Sequence, residues 1–299
     1  MRVGERVADA LAGGRPVLAC ESTIVTHGLP APRNLAVARE AEELVASLGV
    51  VPATIGVLDG EVVVGLTDDE LARLATAPDV VKLSARDLPV AVATGASGGT
   101  TVAATAHLAH RAGIRVFATG GLGGVHRGAA RTFDESADLP ALAALPLVVV
   151  SAGVKSVLDV PATLERLETL GVTVAGYRTH AFPGFYVADS GHRVGQRLDS
   201  PEQVATAWRA ARDLGLPGAL LVANPVPAAE QLPPALHDAA LADALAALDD
   251  AGIGGQDATP FLLARVRAAT GDASLEVNVA VYRHNVALGA RIATALAGR

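Results

Sequence analysis

The chain has 299 residues, 51% of them hydrophobic, and a formal net charge of −7. That is ample for a large buried core, while a single cysteine, Cys20, excludes a disulfide framework and a cysteine-rich metal site. The sequence contains no apolar run long enough to cross a membrane, no apolar leader behind Met1 and no basic stripe for nucleic acid. These features predict a cytoplasmic protein that binds neither membrane nor nucleic acid.

Short apolar runs rich in β-branched residues alternate with alanine-rich segments of helical period. In chain order they predict strand 17–20, helix 34–48, strands 54–58 and 61–65, helix 68–75, strand 80–83 and helix 100–112. The second half continues with strands 115–118 and 147–150, helix 160–170, strand 172–177, helix 201–214, strand 219–223, helices 236–251 and 260–270, and one helix or a helix pair over 274–296.

This alternation predicts an α/β fold, specifically a three-layer α/β/α arrangement with a largely parallel central sheet. The Asp59-Gly60 turn between strands 54–58 and 61–65 indicates a hairpin, which makes the sheet mixed. A proline-rich stretch at 224–234 is either a linker or a loop leaving a strand. Because helices resume directly after it, we favour a single domain over residues 1–299.

Reactive side chains collect where the predicted strands end. Glu21 follows strand 17–20, the glycine-rich run 119–128 follows strand 115–118, and Lys155 comes shortly after strand 147–150, while Lys82 lies within strand 80–83. Ligands of open α/β sheets bind beyond the carboxyl ends of the strands. We therefore expect one site at this edge that contains both lysines, a carboxyl group and the glycine-rich run.

Lys155 is a candidate nucleophile. Of the 24 basic residues only Lys82 and Lys155 are lysines, so arginine occupies nearly every position where any cation suffices. Only an amine can lose its proton near neutral pH and attack carbon, and partial burial would lower the pKa of Lys155 toward that range. A lysine that binds phosphate as a point charge is an equally good explanation from spacing alone.

Glu21 is a candidate general acid, because a carboxyl group after a buried strand can have a raised pKa. The alternative is a glutamate that caps a helix or pairs with a cation. The glycines of the run 120–128 and the segment 98–101, which opens a helix, are candidate anion cradles. Neither matches a dinucleotide or P-loop fingerprint.

Asp134, Ser136 and Asp138 alternate and could offer hard oxygen ligands to Mg²⁺ or Mn²⁺, although an ordinary acidic loop is the more frequent explanation. The histidines show no pair spaced for zinc on a helix. Aromatic side chains cluster at 180–186, and we interpret them as a packed loop in preference to a wall for base stacking.

Several long strings in order resemble the pseudouridine-5′-phosphate glycosidase family, which shares its fold with the indigoidine synthase A-like group. They are ESTIVTHG at 21–28, VPATI at 51–55, GGTTVA at 98–103, TGGLGGVHRG at 119–128, TFD at 132–134, SADL at 136–139, AGVKS at 152–156, VANP at 222–225 and TPFLLARV at 259–266. The resemblance extends from about residue 16 to the C-terminus. It is loose at 178–196, and Cys20 stands where an apolar residue is more usual.

The resemblance implies reversible cleavage of the C–C glycosidic bond of pseudouridine 5′-phosphate to uracil and ribose 5-phosphate. It makes Lys155 the nucleophile at the ribose C1′ and Glu21 the proton donor. It also implies that Asp134 ligates Mn²⁺ and that the enzyme is a homotrimer. The substrate-binding positions that it implies are Lys82, Val102, Ser136, Ala137, Asp138 and Asn278.

Two other functions remain open from the residues. The same lysine would serve a Schiff-base aldolase or lyase acting on a phosphorylated sugar, and both lysines could instead bind phosphate in a sensor without catalysis. Replacing Lys155 by arginine separates these functions, because a sensor would keep much of its affinity whereas either enzyme would lose turnover.

Overall fold

The structure is a computed structural model that describes residues 1–253 and 258–298. Within them the strands are β1 Arg2–Val3, β2 Val17–Cys20, β3 Val51–Leu58, β4 Glu61–Val64, β5 Val81–Leu83, β6 Gly98–Thr100, β7 Val116–Ala118, β8 Val148–Ser151, β9 Thr173–Tyr177, β10 Gln196–Leu198 and β11 Leu220–Ala223. The helices are α1 Glu5–Ala12, α2 Arg33–Ser47, α3 Asp68–Thr76, α4 Leu88–Thr94, α5 Val102–Ala112, α6 Ala129–Thr132, α7 Asp138–Ala144, α8 Val160–Thr169, α9 Pro201–Asp213, α10 Pro234–Ala251, α11 Ala258–Thr270 and α12 Ala273–Ala297.

These strands form one sheet in the order β1-β4-β3-β2-β7-β8-β11-β9-β10, with β6 attached to β3 and β5 attached to β6. The centre of the sheet, from β3 through β2, β7, β8 and β11 to β9, is parallel. Antiparallel pairing occurs where β3 meets β4 and β6. The prediction of a largely parallel, mixed sheet is therefore confirmed.

Helices cover both faces of the sheet, because each central strand is apolar on both sides. Along β2, Val17 and Ala19 pack into one buried cluster, which also contains apolar side chains of α1, α5, α7 and α8. Leu18 and Cys20 point the other way, into a second cluster with α2, α3, α9 and α12. Alternation of this kind places successive side chains on opposite faces of a strand. The three-layer prediction is confirmed.

The predicted elements occur close to their expected bounds, and local signals explain several ends. The Thr67 hydroxyl accepts from the Glu70 N–H while the Glu70 carboxylate accepts from the Thr67 N–H, so α3 begins with a capping box. The hairpin between β3 and β4 turns at Asp59 and Gly60, both with positive φ. The final segment, for which one helix or a pair was open, is the single helix α12.

One expectation is wrong in its geometry: the segment 98–101 is not an open anion cradle at a helix start. Gly98–Thr100 form strand β6, and α5 begins only at Val102, capped by the hydroxyl of Thr101. A side chain at Gly98 would collide with Leu83, and one at Gly99 would collide with Thr26. The glycines thus allow β6 to pack closely against its neighbours.

Some short elements were not predicted, namely β1, β6, β10, α1, α4, α6 and α7. A five-residue π-helical turn, Ile24–Gly28, also follows Glu21. Among residues 1–253 and 258–298, no helix combines the length and the apolar character needed to cross a membrane.

Candidate active site

A cavity of about 840 Å³ opens at the carboxyl ends of the central strands β2, β7 and β8. Its lining includes Glu21 beyond β2, Gly120 and Gly121 beyond β7, and Lys155 beyond β8. Lys82 lines the same cavity. The prediction that both lysines, a carboxyl group and the glycine-rich run meet at one edge is confirmed for Lys82, Lys155, Glu21 and the start of the run.

Lys82 reaches the cavity by a different route from the other groups. It lies within β5, which pairs with β6, and β6 pairs with β3 outside the central order of strands. The side chain therefore approaches the central edge from a lateral extension of the sheet. The expectation that Lys82 lies at the site formed by the strand ends is therefore met, although its strand β5 is not one of the central parallel strands.

The Glu21 carboxyl group is buried, with 7% of the residue exposed. Its two oxygens accept hydrogen bonds from the hydroxyls of Thr119 and Thr23. Burial raises the pKa of Glu21, and this effect exceeds the opposing influence of the Lys155 charge and of the two hydroxyls. A carboxyl group with a raised pKa can hold a proton near neutral pH and give it to a substrate.

Lys155 is half-buried, and its backbone is tied to the glycine-rich segment. The Lys155 N–H donates to the Leu122 carbonyl at 3.0 Å, and the Leu122 N–H donates to the Gly153 carbonyl at 3.0 Å. Gly153 has φ +77°, and a side chain there would collide with the Pro183 carbonyl. The turn after β8 therefore requires glycine, and it directs Lys155 into the cavity.

The ammonium of Lys82 is influenced by Lys155. The Lys82 residue is exposed at the cavity wall, but its ammonium is partly shielded from water by the surrounding protein. This loss of solvation and the charge of Lys155 lower the pKa of Lys82. Asp138 and Glu21 act in the opposite direction and favour the charged form. The cavity thus brings two amines and a buried carboxyl group within electrostatic range of one another.

Asp138 has a structural role that the sequence did not indicate. It is buried, and its Oδ1 accepts from the Ala103 N–H at 2.9 Å while Oδ2 accepts from the Gly123 N–H at 2.8 Å. The carboxylate therefore joins the first turn of α5 to the glycine-rich run. In this run, the Gly123 amide binds a carboxylate of the protein itself, which corrects the expectation of a cradle open along all of residues 120–128.

The other residues near Asp138 also lie outside the cavity lining. Val102 is buried at the start of α5, and Ala137 is exposed. Ser136 is half-buried, and its hydroxyl accepts from the Asp138 N–H at 3.2 Å. The structure therefore brings Lys82 and Asn278 to the cavity wall, whereas Val102, Ser136, Ala137 and Asp138 do not line the cavity.

Asp134 is the predicted metal ligand. Its Oδ2 lies 3.6 Å from Nδ1 of His126, and its carboxylate is partly exposed. Burial lowers the pKa of His126, as do the nearby charges of Lys82 and Lys155, while Asp134 opposes them. No group of three or more histidine, cysteine or acidic side chains could enclose a metal within the described residues. Asp134 fits a divalent ion only if water or substrate supplies most of its ligands.

Helices α11 and α12 form the outer wall of the cavity. Asn278 lies on α12, and its side chain reaches toward Gly120. Leu263 and Arg267 of α11 line the same wall, and Arg267 pairs with Asp272 at 2.7 Å. The sequence did not single out the α11 residues, because their apolar and charged side chains are ordinary for an amphipathic helix.

Two further features of the cavity went unrecognised in the sequence. Thr119 carries the hydroxyl that holds Glu21, and His27 lines the cavity from the π-helical turn, where its Nδ1 lies 2.6 Å from the Thr26 hydroxyl. π-Helical turns are frequent at functional sites, but they have no clear sequence signature. Phe185 and Tyr186 are buried, as a packed loop predicts, and both also line the cavity, as a wall for base stacking would.

An amine and a buried carboxyl group with a raised pKa thus face one cavity at the strand ends of a parallel α/β sheet, where ligands of such folds bind. The sequence matches the family described as indigoidine synthase A like protein over residues 6–295. The chain therefore belongs to the indigoidine synthase A-like family.

Similar proteins carry more specific names. A pseudouridine-5′-phosphate glycosidase of Saccharopolyspora erythraea is 63% identical over 296 residues, covering 99% of this chain and 98% of that protein. Its counterpart in Salinispora tropica is 61% identical, covering 100% of this chain and 93% of that protein. The crystal structure of the prealnumycin C-glycosynthase AlnA in complex with ribulose 5-phosphate is 38% identical and superposes with a TM-score of 0.92, covering 99% of this chain and 96% of that one.

Proposed function

We propose that this enzyme reversibly cleaves the C–C glycosidic bond of pseudouridine 5′-phosphate, giving uracil and ribose 5-phosphate. The observation that carries the proposal is the convergence of Lys155, Glu21 and Lys82 on one cavity, with the pKa of Glu21 raised by burial. The names of relatives at 61–63% identity support the substrate. A C-glycosynthase of the same fold, bound to a pentulose phosphate, supports the reaction class.

The reaction needs an electron sink, because a carbon–carbon glycosidic bond has no heteroatom that a single proton can release. In the proposed mechanism Glu21 gives its proton to the ribose ring oxygen as the bond from that oxygen to C1′ breaks. The amine of Lys155 bonds to C1′. Two carboxyl groups are the usual arrangement of O-glycosidases, and they would not provide such an electron sink.

Carbon–carbon cleavage follows from this adduct. The electron pair of the C1′–C5 bond moves to C5 of uracil, which takes up a proton, while the nitrogen of Lys155 forms a double bond to C1′. Water then hydrolyses the protonated imine, which releases ribose 5-phosphate as its aldehyde and restores the amine. Two protons are set free, one when the amine bonds to C1′ and one in the hydrolysis, and they replace the protons given to the ring oxygen and to C5, so that Glu21 is protonated again. Over the cycle one molecule of substrate and one of water become uracil and ribose 5-phosphate.

We also propose substrate contacts at Lys82 and Asn278, which both lie on the cavity wall. Val102, Ser136 and Ala137 would contact the substrate mainly through main-chain groups, because the Val102 side chain is buried and Ala137 offers only a methyl group. Asp138 would act by fixing the amides of Ala103 and Gly123 beside the substrate.

Asp134 is our proposed ligand of Mn²⁺, with His126 beside it. A bound divalent ion would supply positive charge for oxygen atoms of the substrate or of water. We further propose that the enzyme works as a homotrimer in the cytoplasm. Light scattering of the purified protein tests the trimer, and a monomeric mass under assay conditions would refute it.

The function is tested by incubating the protein with pseudouridine 5′-phosphate and following uracil by chromatography, with and without Mn²⁺. We expect release of uracil and ribose 5-phosphate in equal amounts. The reverse reaction should consume both products. If ribose 5-phosphate binds but no uracil is released, the glycosidase is refuted and a phosphosugar sensor remains. Cleavage of other phosphosugars without uracil release would favour the aldolase or lyase.

A further inference from the structure

A buried asparagine lies behind the wall of the cavity. Asn285 is on α12 and is fully buried. Its Nδ2 donates to the carbonyl oxygens of Thr119 at 2.8 Å and Gly120 at 3.2 Å, and its Oδ1 accepts from Nδ2 of Asn224 at 2.9 Å. An amide in such surroundings is costly to bury unless it is hydrogen-bonded. These bonds join α12 to the segments that follow β7 and β11.

The two carbonyl groups belong to the segment that orients the reactive side chains. The Thr119 hydroxyl donates to the Glu21 carboxyl group. The Gly120 carbonyl also accepts from the Ala152 N–H at 2.9 Å, at the start of the turn that leads to Lys155. A shift of this short segment would therefore move the hydrogen-bond donor of Glu21 and disturb the turn that carries Lys155.

We propose that Asn285 is a positioning residue for the acid–base step: it fixes the Thr119–Gly120 backbone so that the Thr119 hydroxyl holds the Glu21 carboxyl group in place. Asn285 is not part of the cavity lining and acts on Glu21 through the Thr119 hydroxyl. The inference rests on the proposed role of Glu21 as proton donor. It adds a residue beyond those that the family resemblance implies.

The Thr119 bond also affects the protonation of Glu21. A hydroxyl that donates to a carboxylate stabilises the charged form, so this bond opposes the effect of burial on the Glu21 pKa. The titratable groups that face Glu21 are Lys155 and Lys82 across the cavity, Asp138 on α7, the Cys20 thiol beneath it and the Tyr282 hydroxyl of α12. None of these contacts changes directly when Asn285 is truncated.

The test compares two buried asparagines. Asn285→Ala removes the proposed positioning contact. Asn34→Ala is the matched control, because Asn34 is also buried and its Nδ2 donates to two backbone carbonyls, those of Val25 at 2.8 Å and Ala75 at 3.0 Å. Both variants lose a buried amide, but only Asn285 is bonded to Thr119, one of the two threonines whose hydroxyls hold Glu21, whereas Asn34 is bonded to neither.

Carbon-13 NMR of the side-chain carboxyl groups, with Glu21 assigned through Glu21→Gln, follows the titration without requiring turnover. We expect Asn285→Ala to raise the pKa of Glu21 above that of the unmodified protein, and Asn34→Ala to leave it unchanged. In turnover, Asn285→Ala should lower kcat about 10-fold to 100-fold and shift the alkaline limb of the pH profile to higher pH. If both variants titrate and turn over alike, Asn285 is only structural and the inference is overturned.

A double-mutant cycle with Thr119→Val tests whether Asn285 affects Glu21 through the Thr119 hydroxyl. Once the hydroxyl is absent, Asn285→Ala should produce no further shift in the titration of Glu21, and a persisting shift would overturn the inference. If Asn285→Ala does not fold, Asn224→Ala loosens the same amide and should shift Glu21 in the same direction by less. A shift of the Glu21 titration in a protein that releases no uracil would refute the proposed function while retaining the positioning contact.

Discussion

The sheet edge that carries Glu21 and Lys155 is built differently from the outer loop, residues 126–136, that carries Asp134. At the sheet edge, Glu21 is buried between two hydroxyl donors, and Lys155 extends from a turn hydrogen-bonded to the glycine-rich segment. In the outer loop, Asp134 is partly exposed and Phe133 beside it is 85% exposed, with φ +57°.

The difference matches the demands of the proposed chemistry. Bond formation at C1′ requires an amine and a proton donor in fixed positions, and parallel strands with buried hydrogen bonds provide them. A divalent ion held largely by water tolerates a more open position. We therefore expect substitutions at the sheet edge to affect kcat most strongly and substitutions in the outer loop to affect metal dependence.

The largest expected effect comes from Lys155→Arg. Because a guanidinium keeps its charge but cannot attack carbon, kcat for uracil release should fall by at least about 10⁴-fold. The matched change is Lys82→Arg, at the only other lysine of the chain. There charge matters more than nucleophilicity, so KM should rise about tenfold with kcat nearly kept. Equal losses of kcat in both variants would contradict the division of roles between the lysines.

The next effect concerns Glu21→Gln, which keeps the size of the side chain but removes its acidic proton. We expect kcat to fall by about 10²–10⁴-fold. In the unmodified enzyme, activity should fall as pH rises through the raised pKa of Glu21, because the carboxyl group then loses the proton it must donate. Steady-state rates across the pH range measure both effects.

Glu42→Gln is the control for Glu21. Glu42 is also partly buried and accepts from the Thr54 hydroxyl at 2.5 Å, but it does not line the cavity. Its substitution should leave kcat and the pH profile unchanged. An alkaline limb that survives in Glu21→Gln would mean that another group donates the proton.

Asp134→Asn probes the outer loop. It should weaken activation by Mn²⁺ at least about tenfold while leaving intact the proposed adduct between the sugar and Lys155, which reduction by borohydride would trap. The neighbouring change Glu135→Gln, which disturbs only the exposed pair with Arg166, should leave the metal titration unaltered. Measuring activity against Mn²⁺ concentration for both variants shows whether Asp134 holds the ion. If Asp134→Asn responds to Mn²⁺ as the unmodified enzyme does, the ion is held elsewhere.

The smallest expected effect is on the free energy of unfolding. It tests whether Asp138 stabilises the fold by joining α5 to the glycine-rich run. Asp138→Asn replaces a carboxylate that accepts two backbone N–H groups, and the free energy of unfolding should fall by about 1–3 kcal/mol. Asp159→Asn is the comparison, because asparagine caps a helix about as well as aspartate and Asp159 accepts a single N–H, from Ala162. Denaturant unfolding measures both, and equal stability would contradict the joining role of Asp138.

Much of the fold follows from the sequence because strands β2, β7, β8 and β11 are short apolar runs bounded by clear turns. Strand β6 was missed because Gly98–Thr100 has no apolar pattern, and its pairing with β3 joins residues about 40 positions apart. Such pairing depends on tertiary contacts that a local pattern does not contain.

Some residues of the candidate site could likewise be predicted from the sequence, and others could not. Glu21 and Lys155 could be located by their position after strands, and their roles by family resemblance. Thr119 and Asn285 could not, because a threonine after a strand and an asparagine within a helix are unremarkable until the fold brings them together. Asp138 was predicted as a substrate contact, yet its oxygens bind the Ala103 and Gly123 amides. That partnership depends on the packing of α7 against α5.

The most direct test of the central claim is borohydride reduction during turnover, followed by peptide mapping with mass spectrometry. If the sheet edge supplies the nucleophile, incubation with ribose 5-phosphate or pseudouridine 5′-phosphate should leave a reduced pentose phosphate on Lys155 and none on Lys82. The adduct should be absent from Lys155→Arg. Turnover without any trapped adduct, or an adduct on another residue, would contradict the account.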